Sequence, residues 1–244
     1  MATALVTGAS RGFGAHLCHA LKAAGHRVLG AGLASSPRHG DLDEYRVVDL
    51  RDSAPLDPFP DENVDVLINN AGVYLDDPRR GCGDLFDLSL DDLRETFEVN
   101  LFGAVRMAVA YAPRMIGRAS GRIVCVSSGM GRLQDADGAS FAYRSSKLAV
   151  NSLVLTVARH FADSRGDLSA FSYCPGWIRT EMGTEAAPLD PGPAADDLVR
   201  LLELPPADSN GRFFRGIHEL GWDIKGPFVS GRQEAESRTS RSWR

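Results

Sequence analysis

The chain has 244 residues, with 27 basic against 32 acidic side chains, a net charge of −5, an apolar fraction of 43% and a charged fraction of 24%. At this length roughly 70% of the unfolded chain's surface can be buried on folding, which excludes disorder for most of the chain and any need for a disulfide or metal staple. The mildly acidic balance without a basic cluster excludes nucleic acid or an anionic membrane as the main partner; no apolar run is long enough to span a bilayer, the first residues carry no charged signal segment, and a cytoplasmic location is expected.

In chain order, residues 2–7 read as a buried strand that runs into a glycine loop and then a helix over residues 13–24. Apolar runs at residues 27–33 and 45–50 follow as further strands, joined by a short, turn-rich connection over residues 34–44. The connection over residues 52–62 carries Pro55, Pro58 and Pro60, a density of proline that a helix interior does not accept. Residues 63–69 form a continuous apolar strand of the kind buried on both faces of a parallel sheet. Ser89, with Asp92 three residues later, resembles a capping box and opens a long helical pattern toward Met115.

Residues 121–126 are the next strand and feed Ser127 and Ser128. A helical period over residues 141–161 puts Leu148, Leu153, Leu155 and Val157 forward as its buried stripe. Residues 170–174 form a sixth strand. Residues 183–193, with three prolines and two glycines, read as an irregular lid, residues 194–204 as a short helix and residues 211–214 as a last strand. Strands alternating with helices give an α/β class: a doubly wound parallel sheet of Rossmann type in three layers, one domain over residues 1–222, with a flexible tail over residues 223–244. Cys18, Cys82, Cys125 and Cys174 form no C-x-x-C pair and read as small buried hydrophobes in a reducing compartment.

Three features carry chemistry. The spacing of Gly8, Gly12 and Gly14 lets backbone approach a pyrophosphate at the start of the first helix, although a tight strand-to-helix turn also asks for glycine. From Ala15 to Gly40 there is no acidic residue to hold a ribose 2′-hydroxyl, whereas Arg11 and Arg38 offer cations, so a 2′-phosphate meets cations and no anion and NADP(H) is favoured over NAD. Tyr143 and Lys147 lie four residues apart, on one helical face, in a chain with only three lysines. A cation about 4 Å from a phenol at an effective dielectric of 20 is worth about 4 kcal/mol, enough to lower its pKa by about three units toward the range a general acid or base needs.

Thr7-Gly-Ala-Ser-Arg-Gly-Phe-Gly14, Asn69-Asn-Ala-Gly72, Asn100, Val126-Ser-Ser128, Tyr143-x-x-x-Lys147 and Pro175-Gly-Trp-Ile-Arg-Thr180 stand in the order and spacing of the short-chain dehydrogenase/reductase family. The chain resembles its carbonyl-reductase-type members through Gly211-Arg-Phe-Phe and Trp222. The resemblance implies Tyr143 as the acid that protonates a carbonyl, Lys147 as the group that holds the nicotinamide ribose, Ser128 as the hydrogen-bond donor to the substrate oxygen, and Asn100 as the anchor of a proton-relaying water. It implies a cofactor site made of Gly8, Ser10, Arg11, Gly12, Phe13, Gly14, Asp49, Leu50, Asn70, Ala71, Gly72, Pro175, Gly176, Ile178 and Thr180, together with Tyr143 and Lys147, and no metal. The function it implies is NADPH-dependent reduction of a small, largely apolar or aromatic ketone or aldehyde, or the reverse alcohol oxidation. The same scaffold also hosts imine reduction, epimerisation, dehydration and non-catalytic NADP binding, and a homo-oligomer is left open. The connections over residues 34–44 and 52–62 are shorter than the family's crossover helices. Met130, Leu133, Phe141, Trp177 and Met182 are the side chains available for an apolar substrate pocket or for core.

Overall fold

The computed structural model describes residues 1–52, 57–136 and 138–222. The proposed tail over residues 223–244 and the proline Pro55 lie outside the described residues. Among the described residues one sheet carries strands β1 (Thr3–Thr7), β2 (Arg27–Gly32), β3 (Glu44–Val47), β4 (Val66–Asn69), β5 (Ser120–Val126), β6 (Asp167–Cys174), β7 (Phe213–Arg215) and β8 (His218–Glu219), in the order β3-β2-β1-β4-β5-β6-β7-β8. All neighbours pair in parallel except β7 and β8, which form an antiparallel hairpin that the sequence pattern did not announce.

The helices divide between the two faces because β1 alternates its side chains. Ala4 and Val6 face α1 (Gly12–Ala23) and α5 (Pro191–Leu202), where Phe13, Leu17, Leu21, Leu198 and Leu202 close the first core. Leu5 faces the opposite layer, where Met107, Tyr111 and Met115 of α3 (Gly103–Arg118) and Phe161 of α4 (Phe141–Asp163) form the second. Helix α2 (Leu90–Phe97) is capped by the Ser89 hydroxyl, which accepts from the Asp91 and Asp92 amides, and runs through a π turn (Glu98–Phe102) into α3. Among the described residues no helix occupies the connections that follow β2 and β3; instead Phe59 is fully buried against α3, its amide donating to the Tyr111 hydroxyl at 3.3 Å.

Three expectations need correction. Leu148 and Leu155 are exposed, and the buried stripe of α4 runs through Tyr143, Lys147, Val150, Val154 and Phe161, because the face that carries the polar pair is the one that meets the sheet. Pro191 and Pro193 do not break a helix: α5 begins at Pro191, where the missing amide hydrogen leaves no intrahelical bond unmade. Cys82 is exposed, its thiol donating to the carbonyls of Leu75 and Asp77, while Cys18, Cys125 and Cys174 are buried as free thiols. Among the described residues no helix is long and apolar enough to cross a membrane.

Candidate active site

The cleft lies at the C-terminal edge of the parallel strands, where a doubly wound sheet changes direction and leaves room for a ligand. It has a volume of about 1020 Å³ and is lined by every residue that the resemblance assigned to cofactor and catalysis except Asn100, which sits behind the wall. The first wall is the glycine loop. Gly8 adopts φ +65°, and a Cβ on Gly14 would stand 2.1 Å from the Gly8 carbonyl oxygen, so neither position tolerates a side chain. Thr7 and Asn70 lock this loop to the end of β4: the Thr7 hydroxyl accepts from the Asn70 and Ala71 amides at 3.0 and 3.1 Å, and the Asn70 amide side chain donates to the Thr7 carbonyl at 2.9 Å. Helix α1 opens beyond it with no side-chain cap and no acidic residue in its first turn, a donor set that fits the pyrophosphate of a dinucleotide.

At the other end, Tyr143 and Lys147 project from the buried face of α4. The Lys147 ammonium donates to the Val126 carbonyl at 2.9 Å and stands 5.6 Å from the Tyr143 ring centroid. Burial pulls its pKa down to about 8. The lowering of the phenol expected from sequence is not what this arrangement gives. Burial pushes the Tyr143 pKa up, and the opposing pulls come from a hydrogen bond with Ser128 and from the Arg79 guanidinium, because Lys147 is aimed at β5 and is itself inclined to lose its proton. Ser127 and Ser128 separate as expected: the Ser127 hydroxyl donates to the Lys147 carbonyl, whereas Ser128 meets Tyr143 and accepts from the Met130 amide at 3.1 Å.

Asn100 lies in the π turn, and both ends of its side chain are engaged. Its oxygen accepts from the Val73 amide at 2.8 Å, and its nitrogen donates to the Val73 carbonyl and the Ser146 hydroxyl, both at 3.0 Å. The side chain thus braces the β4 loop against α4.

Several residues that the sequence did not single out complete the site. Asp76 is buried and accepts from the Ala142 and Tyr143 amides at 2.7 and 3.2 Å, capping α4 where Ser140 provides no side-chain cap. Tyr74 stacks on Tyr143 with ring centroids 4.3 Å apart and shares a hydrogen bond with Ser140 at 2.6 Å. Arg79 grips Asp77 through both carboxylate oxygens, lies over the rings of Tyr74 and Trp177, and donates to the carbonyls of Met182 and Gly183. The stretch read as an irregular lid is held at Gly183, to which the Trp177 indole also donates, and at Leu189, which pairs with Ile178. Glu181 pairs with both Arg11 and Arg38, the latter at 2.6 Å. An anion does stand beside these cations, brought from a segment that no count of acids between Ala15 and Gly40 could include. Met130, Trp177 and Met182 line the cleft; Leu133 and Phe141 are exposed outside it.

Comparison with known proteins agrees with this architecture. The family profile described as short chain dehydrogenase matches residues 2–189. The chain is 31% identical to the oxidoreductase UcpA of Escherichia coli K12 over 222 residues, covering 83% of this chain and 80% of that protein. It is 31% identical to a 3-oxoacyl-[acyl-carrier-protein] reductase of Synechocystis over 200 residues, covering 73% and 75% of the two chains. The carbonyl reductase Sniffer of D. melanogaster superposes with a TM-score of 0.77 at 23% identity, covering 91% of this chain and all of that one. With the glycine loop, the Tyr143–Lys147 helix and a family match over most of its length, the chain belongs to the short-chain dehydrogenase/reductase family of oxidoreductases, whose members bind a nicotinamide cofactor.

Proposed function

We propose that the protein is an NADPH-dependent reductase of small, largely apolar or aromatic ketones and aldehydes. The observation that carries this reading is the buried Tyr143 phenol, which with Ser128 lines the same cleft into which α1 opens. Burial keeps this phenol protonated at neutral pH, so its proton is in place to be given when charge develops on a bound carbonyl oxygen. A bound nicotinamide cofactor supplies the hydride. The Ser128 hydroxyl and the Tyr143 phenol hold the carbonyl oxygen, and the phenol gives its proton to that oxygen as charge develops there. Lys147 is set to hold the nicotinamide ribose and to return a proton to Tyr143. Asn100 and Asp76 are positioning residues that fix α4. Met130, Trp177 and Met182 exclude water around the substrate.

NADP(H) is favoured because the end of β2 carries no acid, and Arg11 and Arg38 together bear one more positive charge than the single Glu181 carboxylate removes. A solved relative of 24% identity from Burkholderia multivorans is described with bound NADP. The test is a panel of ketones and aldehydes assayed by loss of NADPH absorbance with product identification. NADPH is expected to bind at least about tenfold tighter than NADH, equivalent to ~1.4 kcal/mol. Equal dissociation constants overturn the cofactor assignment, and turnover that survives Tyr143→Phe overturns the mechanism.

A further inference from the structure

Strand β7 pairs with β6 in parallel register so that Arg215 stands opposite Cys174, the last residue of β6 and part of the cleft wall. Arg215 thereby emerges at the ligand-binding edge of the sheet, on the side of Ser128 and Met130. Its guanidinium folds back over Gly129, the residue directly after Ser128. A Cβ on Gly129 would lie 2.3 Å from Arg215 Nη2 and 3.4 Å from its Cζ, so the absence of a side chain at Gly129 is what admits the cation. Consecutive α carbons are about 3.8 Å apart, which puts the guanidinium within roughly two residue lengths of the Ser128 backbone.

The other arginines of the cleft wall are committed. Arg11 and Arg38 pair with Glu181, Arg51 with Asp49 and Arg79 with Asp77. Among the described residues no ion pair or hydrogen bond engages the Arg215 side chain. The Asp197 carboxylate beside Gly216 pairs with Arg200 instead. A guanidinium offers a planar fork of donors that matches a carboxylate.

We propose that Arg215 binds a substrate carboxylate, and that the substrates are oxo acids whose carboxylate stands one or two carbons from the reacting carbonyl: 2-oxo or 3-oxo acids with an apolar or aromatic remainder. The short separation follows from the place of the guanidinium over Gly129, the residue after Ser128, and the apolar remainder from Met130, Trp177, Met182 and the stacked Tyr74. This rests on the reading of Ser128 and Tyr143 as the carbonyl-binding pair. In the reaction the carbonyl carbon receives the hydride of NADPH and the oxygen receives the Tyr143 proton. The products are the hydroxy acid and NADP⁺, with the carboxylate unchanged.

The test uses the full chain with a phenyl-substituted 2-oxo acid and 3-oxo acid, their methyl esters and the matching methyl ketones. For at least one acid, wild-type kcat/KM is expected to exceed that of its ester by tenfold or more. Arg215→Gln is expected to lower the acid's kcat/KM by about 10- to 100-fold and to leave ester and ketone within twofold, while Arg215→Lys recovers part of the loss. Calorimetric titration of the preferred acid into each protein gives a readout independent of turnover, and the same loss of affinity is expected there. Because Arg215 is exposed, unchanged thermal unfolding of the variants checks that the fold is kept. Esters reduced as well as acids by wild type, or an equal loss for acid and ester in Arg215→Gln, overturns the carboxylate assignment while leaving the reductase reading in place. If no carbonyl on the panel consumes NADPH in a Tyr143-dependent way, the reductase reading falls, and the carboxylate assignment with it.

Discussion

At the proposed catalytic end of the cleft the side chains are buried and held in place: Tyr143 by the Tyr74 ring, Lys147 by the Val126 carbonyl, Asn100 by Val73 and Ser146, and Asp76 by the first amides of α4. At the adenosine end the charged groups are solvated: the side chains of Arg11, Arg38 and Glu181 are 55%, 69% and 51% exposed and hold one another through ion pairs. The first arrangement resists rearrangement, because any buried polar atom that loses its partner carries its full desolvation cost. The second exchanges partners cheaply, because water and salt screen it and a 2′-phosphate can take the place of a carboxylate. On the proposed function, chemistry is held by packing, and cofactor choice rests on charges that can be retuned without touching the fold.

The largest effect expected is at the catalytic end. Tyr143→Phe removes one hydroxyl and is expected to lower kcat by about 10²- to 10⁴-fold, with the NADPH dissociation constant unchanged by fluorescence titration. Retention of more than a few per cent of kcat would break the contrast at its strongest point.

The buried ammonium gives a sign that can be tested by pH. A lysine whose pKa falls from 10.5 to about 8 on folding binds fewer protons in the native state than in the unfolded chain between those values. Its charge therefore opposes folding below pH 8, by on the order of 3 kcal/mol, and that penalty fades as pH rises toward 10.5. Lys147→Met is expected to unfold at higher temperature than wild type at pH 7, with the gap closing by pH 10. A gap that widens with pH would mean that the ammonium is stabilised where it lies.

Asp76→Ala leaves the Ala142 and Tyr143 amides without their acceptor and is expected to cost about 1–2 kcal/mol in chemical denaturation, together with a fall in kcat as Tyr143 loses its fixed position. Stability lost without any change in kcat would reduce Asp76 to a structural cap. The smallest effect belongs to the adenosine end. Glu181→Gln frees Arg11 and Arg38 and is expected to tighten NADPH by roughly two- to fivefold, with NADH unchanged and the gain shrinking as salt is raised. An equal change for both cofactors would show that Glu181 acts through the loop it belongs to and not through the 2′-phosphate.

The sequence by itself determined the strand, glycine loop and helix at the start of the chain, the parallel alternation of the sheet, and the pairing of Tyr143 with Lys147. Each of these depends on a local period or on the conformational freedom of a few neighbouring glycines, and local rules read them directly. The buried face of α4 was not legible in the same way: apolar Leu148 and Leu155 point outward while Tyr143 and Lys147 point in, since only the position of the sheet decides which stripe is covered. The partners of the functional charges were equally out of reach. Glu181 meets Arg38 from 143 residues away and Asp76 meets Ala142 from 66, and Arg215 reaches Ser128's neighbour only because β7 falls into register beside β6. An ion pair or a cap across such distances is set by which chain segments approach in space, and the order of residues records nothing of that approach until the sheet has assembled.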